Sequence, residues 1–576
     1  MKHLSSLALA ALLAAPFAAQ AAELPEKGQP FAAAVSVGGK WGAVNQYGQQ
    51  IIPLRYDAAA LSLLGEKEQA HDLASMPGRS GLIEVRLDKK YGFYDRAGKC
   101  VVPAEFEARS LWQDGALAVQ AEKGRIGFYS ADGRQIAPPV YEAASDFQDG
   151  FAVVKKDGRY GYLRLDGTEI APVYKEARYF KDGFAPVKDG KWGVINEKGE
   201  TAVPFLYDDA GPFVSEGLLA VKKDGKWGFI DMTGAEAVPP VYRDVHPVFE
   251  GGYTAVETED KLWGFIDNTG RVTAEPVFKN VLTPFSEGLA GVLTQDGKAY
   301  ARPDGSIAFH ADYERLYAFK DGLAEYLESE TYSVSRSSPV SIGFGIGWGW
   351  HRRHHRHWGI GWPWMYTGWY SAPSAVTTVK RGYLDTSGRV IASAGLTRVY
   401  PATEKGILVF NNGRFGWISR TGLYTIHTEY RTLTPLPEED CVIARDEDKK
   451  WGVLSFSGET LIPFAYTAIE SLGGGYFAGK QDGRWALLRK DGAVLTQAVY
   501  KEIGPEGSGL FPARTKDSWV YLDTAGKEAL RFPEKLQNAL PFKDGSAGIK
   551  VRGKWGIIDP TGQFTAEPSY DEYRPL

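Results

Sequence analysis

The densest group of reactive side chains lies at residues 351–357, HRRHHRH. His351, His354, His355 and His357 place four of the nine histidines within seven residues. Neutral imidazole is a ligand for zinc, copper and nickel, so these four are the metal candidates of the chain. Arg352, Arg353 and Arg356 stand between them. Guanidinium supplies no ligand and repels a dication, so it weighs against a tight centre and suits anionic headgroups or polyanions. Trp348 and Trp350 precede the tract, and Trp358, Trp362 and Trp364 follow it, alternating with Gly or Pro. Indole rings suit sugar faces and membrane interfaces. Trp348, Trp350, Arg352, Arg353, Arg356, Trp358, Trp362 and Trp364 are therefore the binding candidates. A flexible Gly-rich insertion with no ligand is the alternative reading.

Elsewhere the chain is poor in catalytic patterns. HExxH, GxSxG, a P-loop and CxxC are all missing from the sequence. Paired carboxylates such as Asp208-Asp209 and Glu438-Glu439-Asp440 sit in polar, turn-rich stretches, where spacing nominates no acid–base pair. The Asp-Gly pairs lack the DxDxDG spacing of a calcium loop. No catalytic residue and no cofactor is expected. Cys100 and Cys441 are the only cysteines, far apart, and are expected as two lone thiols.

What positions the basic tract is a near-mirror pattern. Val340, Ile342, Phe344, Ile346, Trp348 and Trp350 alternate with Ser or Gly, and Trp358, Ile360, Trp362 and Trp364 alternate with Gly or Pro. That period predicts a long hairpin with an aromatic face and a cationic tip. One hairpin has open edges and cannot span a bilayer alone. The segment, residues 326–378, interrupts an array of altered copies of one unit, clearest at residues 216–245.

That unit has three short runs. Leu218 to Lys223 ends in Asp224-Gly225, the dipeptide of tight hairpins. Lys226 to Asp231 carries Trp227-Gly228 and ends in Thr233-Gly234. Ala237 to Tyr242 contains Pro239 and Pro240, which confine it to an edge. Residues 243–252 add a fourth short strand. The central pair recurs about fourteen times, mostly at intervals of about 32 to 36 residues. Trp41, Trp192, Trp227, Trp263, Trp451, Trp485, Trp519 and Trp555 hold the indole; Ile126, Ala299 and Arg381 mark worn copies. Each Trp is expected in a core between neighbouring copies, with the adjacent Gly leaving room for an aromatic of the next copy.

GKWGVINEKG, GKWGFIDMTG and GKWGIIDPTG resemble the WG repeat, also called the KWG repeat, over residues 31–325 and 379–576. The resemblance implies a β-repeat scaffold and carries over no catalytic residues. The expected fold is all-β, a tandem array of three- to four-stranded antiparallel repeats in a propeller-like or superhelical solenoid stack. A blade shared by the FAAAVSV and SYDEYRPL segments and an open superhelix fit the sequence equally.

Residues 1–21 read as a secretory signal peptide: Lys2 and His3, an apolar run, then Ala19-Gln20-Ala21. No Cys follows the run, so a lipoprotein anchor is not indicated, and a periplasmic or secreted protein is expected. Residues 64–81 read as a surface loop or short helix. Over 576 residues, 66 Lys and Arg nearly balance 71 Asp and Glu, for a net charge of -5, so specific nucleic-acid binding is not expected. The functional expectation is an exported, non-enzymatic repeat scaffold that binds a protein, glycan or cell-envelope surface, with peripheral membrane contact through the insertion. A metal-binding envelope protein and an all-β hydrolase are the alternatives.

Overall fold

A computed structural model describes residues 31–61, 82–95, 97–113, 115–130, 132–333 and 375–575. The expected signal peptide, the loop at 64–81 and the aromatic–basic tract at 340–364 lie outside the described residues.

Among the described residues the chain forms fourteen small antiparallel sheets, thirteen of four strands and one of three. They are the blades of a propeller, numbered here in chain order. Blade 6 shows how the repeat makes one: Asp209–Ala210, Leu218–Lys223, Lys226–Asp231 and Glu236–Tyr242 lie side by side in sequence order. Asp224 and Gly225 turn the central hairpin with φ of 50° and 82°, the left-handed pair that matches strand twist. At the next turn the Asp231 carboxylate accepts bonds from the Thr233 and Ala235 amides and the Thr233 hydroxyl, and Gly234 takes φ of 86°. The proline-bearing strand is at the sheet edge, as expected.

The glycine of the Trp-Gly pair has a different partner from the one expected. Trp227 pairs with Tyr242 and Phe229 with Val238, so Pro239, Pro240 and Val241 bulge opposite Gly228 alone. A Cβ on Gly228 would sit 2.4 Å from the Val238 carbonyl oxygen and 2.7 Å from Pro240 N. The glycine thus accommodates the fourth strand of its own blade, not an aromatic of the next copy. Gly264, below Ala274 and Pro276 in blade 7, shows the same geometry. The bulge also explains the prolines, because its residues leave the ladder and need no N–H donor there.

Both faces of the Trp-Gly strand are buried, each against a different neighbour. Trp227 and Phe229 pack with Val245, Phe249, Val256 and Ile266 of the following repeat. Ile230 packs with Trp192, Val194 and Tyr207 of the preceding one. An indole buries roughly 200 Å², on the order of 5 kcal/mol before the entropic cost of ordering it. No blade can bury these faces alone, so neighbours supply each other's core.

The ring closes. Each interface between consecutive blades holds one apolar cluster; an open stack would have one interface fewer than it has blades. Here a fourteenth cluster joins Ile557 and Tyr570 of blade 14 to Ala33, Val35 and Val44 of blade 1. The C-terminal strand Glu572–Pro575 pairs antiparallel with Phe31–Val37, completing blade 1 from both ends of the chain. Tyr573 stacks on Trp555 at 5.6 Å, Arg574 lies over Trp41 at 4.2 Å, and Asp571 accepts a bond from the Gly38 amide at 2.8 Å.

Candidate functional site

The eight repeat tryptophans are where the sequence places them. Trp41, Trp192, Trp263, Trp485 and Trp519 are buried, and Trp227, Trp451 and Trp555 are half-buried, each in the cluster between two blades. A cation also caps many of these rings, which the sequence reading missed. Lys222 lies 5.7 Å from the Trp227 centroid, Lys480 5.2 Å from Trp485, and Arg178 4.4 Å from Trp192. The signal was present: Lys222 and Lys480 each precede their Trp by five residues and face it across the hairpin. With one edge in the core and a cation overhead, these rings are not free platforms for a ligand.

Cys100 and Cys441 are free thiols, the first exposed and the second buried. Burial pushes the Cys441 thiol up to about 11, so it is protonated at neutral pH. Among the described residues, no group of three or more His, Cys, Asp or Glu is placed to hold a metal ion. His351, His354, His355 and His357, together with the eight candidates from Trp348 to Trp364, lie outside the described residues.

The chain enters and leaves that tract through blade 9, made of Arg315–Lys320, Leu323–Ser333, Ala375–Asp385 and Val390–Ala392. Its central hairpin pairs eleven residues on each side, from Leu323 opposite Asp385 to Ser333 opposite Ala375. The same hairpin in blade 6 pairs six. The additional pairs form a β-stalk leading to the insertion. Glu328 faces Lys380 across it, and Arg381 Nε lies 2.9 Å from Glu325 Oε1.

Blade 9 departs from the repeat in three linked ways. Arg381 stands where other copies carry Trp. The fourth strand stops at Ala392, without the Pro and closing aromatic that bulge over the glycine in blade 6. Tyr326 fills that space: a Cβ on Gly382 would be 2.2 Å from its ring, and its hydroxyl accepts a bond from the Ala394 amide at 3.2 Å. With no fourth-strand residue opposite Arg381, a groove of about 970 Å³ opens between the stalk and blade 10, which begins at Arg398–Val399. Thr378, Lys380 and Arg381 line one wall; Thr397, Arg398, Tyr400, Asn411 and Asn412 line the other. The lining holds three cations and no carboxylate. Arg398 lies over the Tyr400 ring at 5.7 Å. Thr397 accepts a bond from the Asn412 amide at 3.3 Å. A smaller cavity of about 310 Å³ lies between blades 13 and 14, beside Phe532, Leu536 and Phe564. There too the fourth strand, Glu528–Leu530, is cut short.

The WG-containing repeat model matches residues 41–60, 126–160, 160–191, 192–227, 227–261, 263–298 and 555–576. No curated protein matches the chain in sequence. Among solved structures the chain is similar to a eukaryotic initiation factor, at 13% identity over 61% of this chain and 95% of that one, with a TM-score of 0.31. It is also similar to PorZ, described as a surface component of the type-IX secretion system of Porphyromonas gingivalis, at 10% identity over 95% of this chain and 98% of that one, with a TM-score of 0.19. A third is BamB from Moraxella catarrhalis, at 14% identity over 46% and 94%, with a TM-score of 0.20. The matched stretches begin on blades 1, 3 to 7 and 14, and over them the chain carries WG-containing repeats.

Proposed function

We propose that this protein is an exported, non-enzymatic scaffold whose ring presents one contact region, at blade 9, to a protein, glycan or cell-envelope surface. The observation that carries the reading is the prolonged hairpin of blade 9. Eleven paired residues on each side fix where the aromatic and basic insertion leaves the ring. The repeat residues themselves are engaged in inter-blade cores, so recognition falls to what departs from the repeat. Export is supported by the basic, apolar and small-residue order of residues 1–21.

The test compares the full chain with a variant whose residues 334–374 are replaced by a short Gly-Ser linker. Both are incubated with outer-envelope and periplasmic fractions, and co-sedimentation is measured. The full chain is expected to sediment with an envelope component, and the variant to lose at least tenfold in affinity. Equal binding by both would remove the insertion from the reading. A full chain that sediments with no fraction would overturn the scaffold reading.

A further inference from the structure

We propose that the groove between the blade 9 stalk and blade 10 binds an acidic glycan, a chain of sugars bearing carboxylates. This deepens the scaffold reading and rests on it. The groove exists because two repeat features are lost together, the indole at residue 381 and the bulged fourth strand. Tyr326 covers Gly382, where the bulge lies in other blades, and the groove opens beside Arg381.

Its chemistry is one-sided. Lys380, Arg381 and Arg398 line it, with no Asp or Glu among the lining residues. Arg381 shares its charge with Glu325 and Lys380 faces Glu328 across the hairpin, whereas Arg398 makes no ion pair among the described residues and is exposed on the short first strand of blade 10. A single small anion would occupy little of about 970 Å³, a volume near the upper end for ligand sites. Between the cations stand hydroxyl and amide groups, Thr397, Asn411 and Asn412, which donate to and accept from sugar hydroxyls. Guanidinium pairs bidentately with carboxylate, so Arg398 is placed to choose an acidic sugar over a neutral one.

The experiment is titration calorimetry of the full chain at low salt. The probes are oligogalacturonate, its fully methyl-esterified form, single-stranded DNA and inorganic sulfate. The variants are Arg398→Glu and Lys380→Glu, with Lys535→Glu, on exposed chain in another blade, as the charge control. The free acid is expected to bind, the ester and sulfate not. Arg398→Glu and Lys380→Glu are each expected to weaken binding at least tenfold, with Lys535→Glu unchanged and all variants melting as the parent does. Binding of the ester as tight as of the acid, equal binding of DNA, loss of binding in Lys535→Glu, or full binding by both groove variants would each overturn the proposal. Failure here is distinguishable from failure of the scaffold reading. If the groove variants still sediment with the envelope as the parent does, the groove is excluded and the scaffold stands. If the parent itself sediments with nothing, the scaffold falls too.

Discussion

At the scale of single residues, two glycines of one hairpin illustrate two different reasons for having no side chain. Gly225 needs φ of 82° and has nothing within 4 Å of where a Cβ would be. Gly228 has an ordinary φ but meets the backbone of its own bulge at 2.4 Å. Gly225→Ala is expected to cost about 1 kcal/mol through backbone strain. Gly228→Ala is expected to cost more, about 2–3 kcal/mol, because the bulge must move. Urea unfolding of the two variants checks the order, and equal losses would reject the assignment of Gly228 to the bulge. The turn carboxylates make a second prediction. The Thr269 hydroxyl, aided by Arg271, holds the Asp267 carboxyl down to about 2, and Thr233 lowers Asp231 in the same way. A carboxyl with a depressed folded pKa stabilises the fold above its unfolded pKa, about 4. That contribution is lost as pH falls from about 4 through about 2. Thr269→Ala should therefore flatten the fall in unfolding midpoint between pH 5 and pH 2.5, and an unchanged pH profile would refute it.

At the scale of elements, the sequence rule was nearly complete for regular blades. Asp224-Gly225, the Trp-Gly strand and the Pro-bearing edge strand each follow from a local preference that the tertiary contacts do not override. The fourth strand was legible as a strand, but not as the opening strand of the next blade, since Asp244–Val245 follows Tyr242 after one residue and pairs with the sheet ahead. The groove was less legible. Arg381 was visible as a worn copy, yet the residue type alone does not say that the fourth strand stops short or that Tyr326 covers Gly382 from across the hairpin. In blade 9 the strands Leu323–Ser333 and Ala375–Asp385 reach into both ends of the segment expected as the insertion, 326–378, and are paired on either side of residues 334–374. The linker variant lacking residues 334–374 is accordingly expected to keep the parent's far-ultraviolet dichroism and to melt within a few degrees of it. A large loss of strand signal would show that the ring depends on the insertion.

At the scale of the whole molecule, stability is a sum over neighbouring interfaces, with closure as the one long-range term. Tyr573 is buried in the last interface and fills the space above Gly548, where a Cβ would lie 2.4 Å from its ring. A chain ending at Asp571 loses the pairing with Phe31–Val37 and this ring. It is expected to show a larger radius in small-angle scattering and earlier proteolysis in blades 1 and 14 than in blades 6 and 7. An unchanged radius with uniform proteolysis would mean that closure contributes nothing.

The sequence by itself determined the strands, the turns, the number of copies and the place of the eight repeat tryptophans, because these depend on residues within one repeat or in the repeats beside it. Only the tertiary structure decided that the array is a ring and that a groove opens beside Arg381. Closure depends on a small rotation accumulated over every interface, which no single copy encodes. The groove depends on how far the fourth strand of blade 9 runs and on Tyr326 covering Gly382 from the facing strand, and that is a matter of packing in three dimensions.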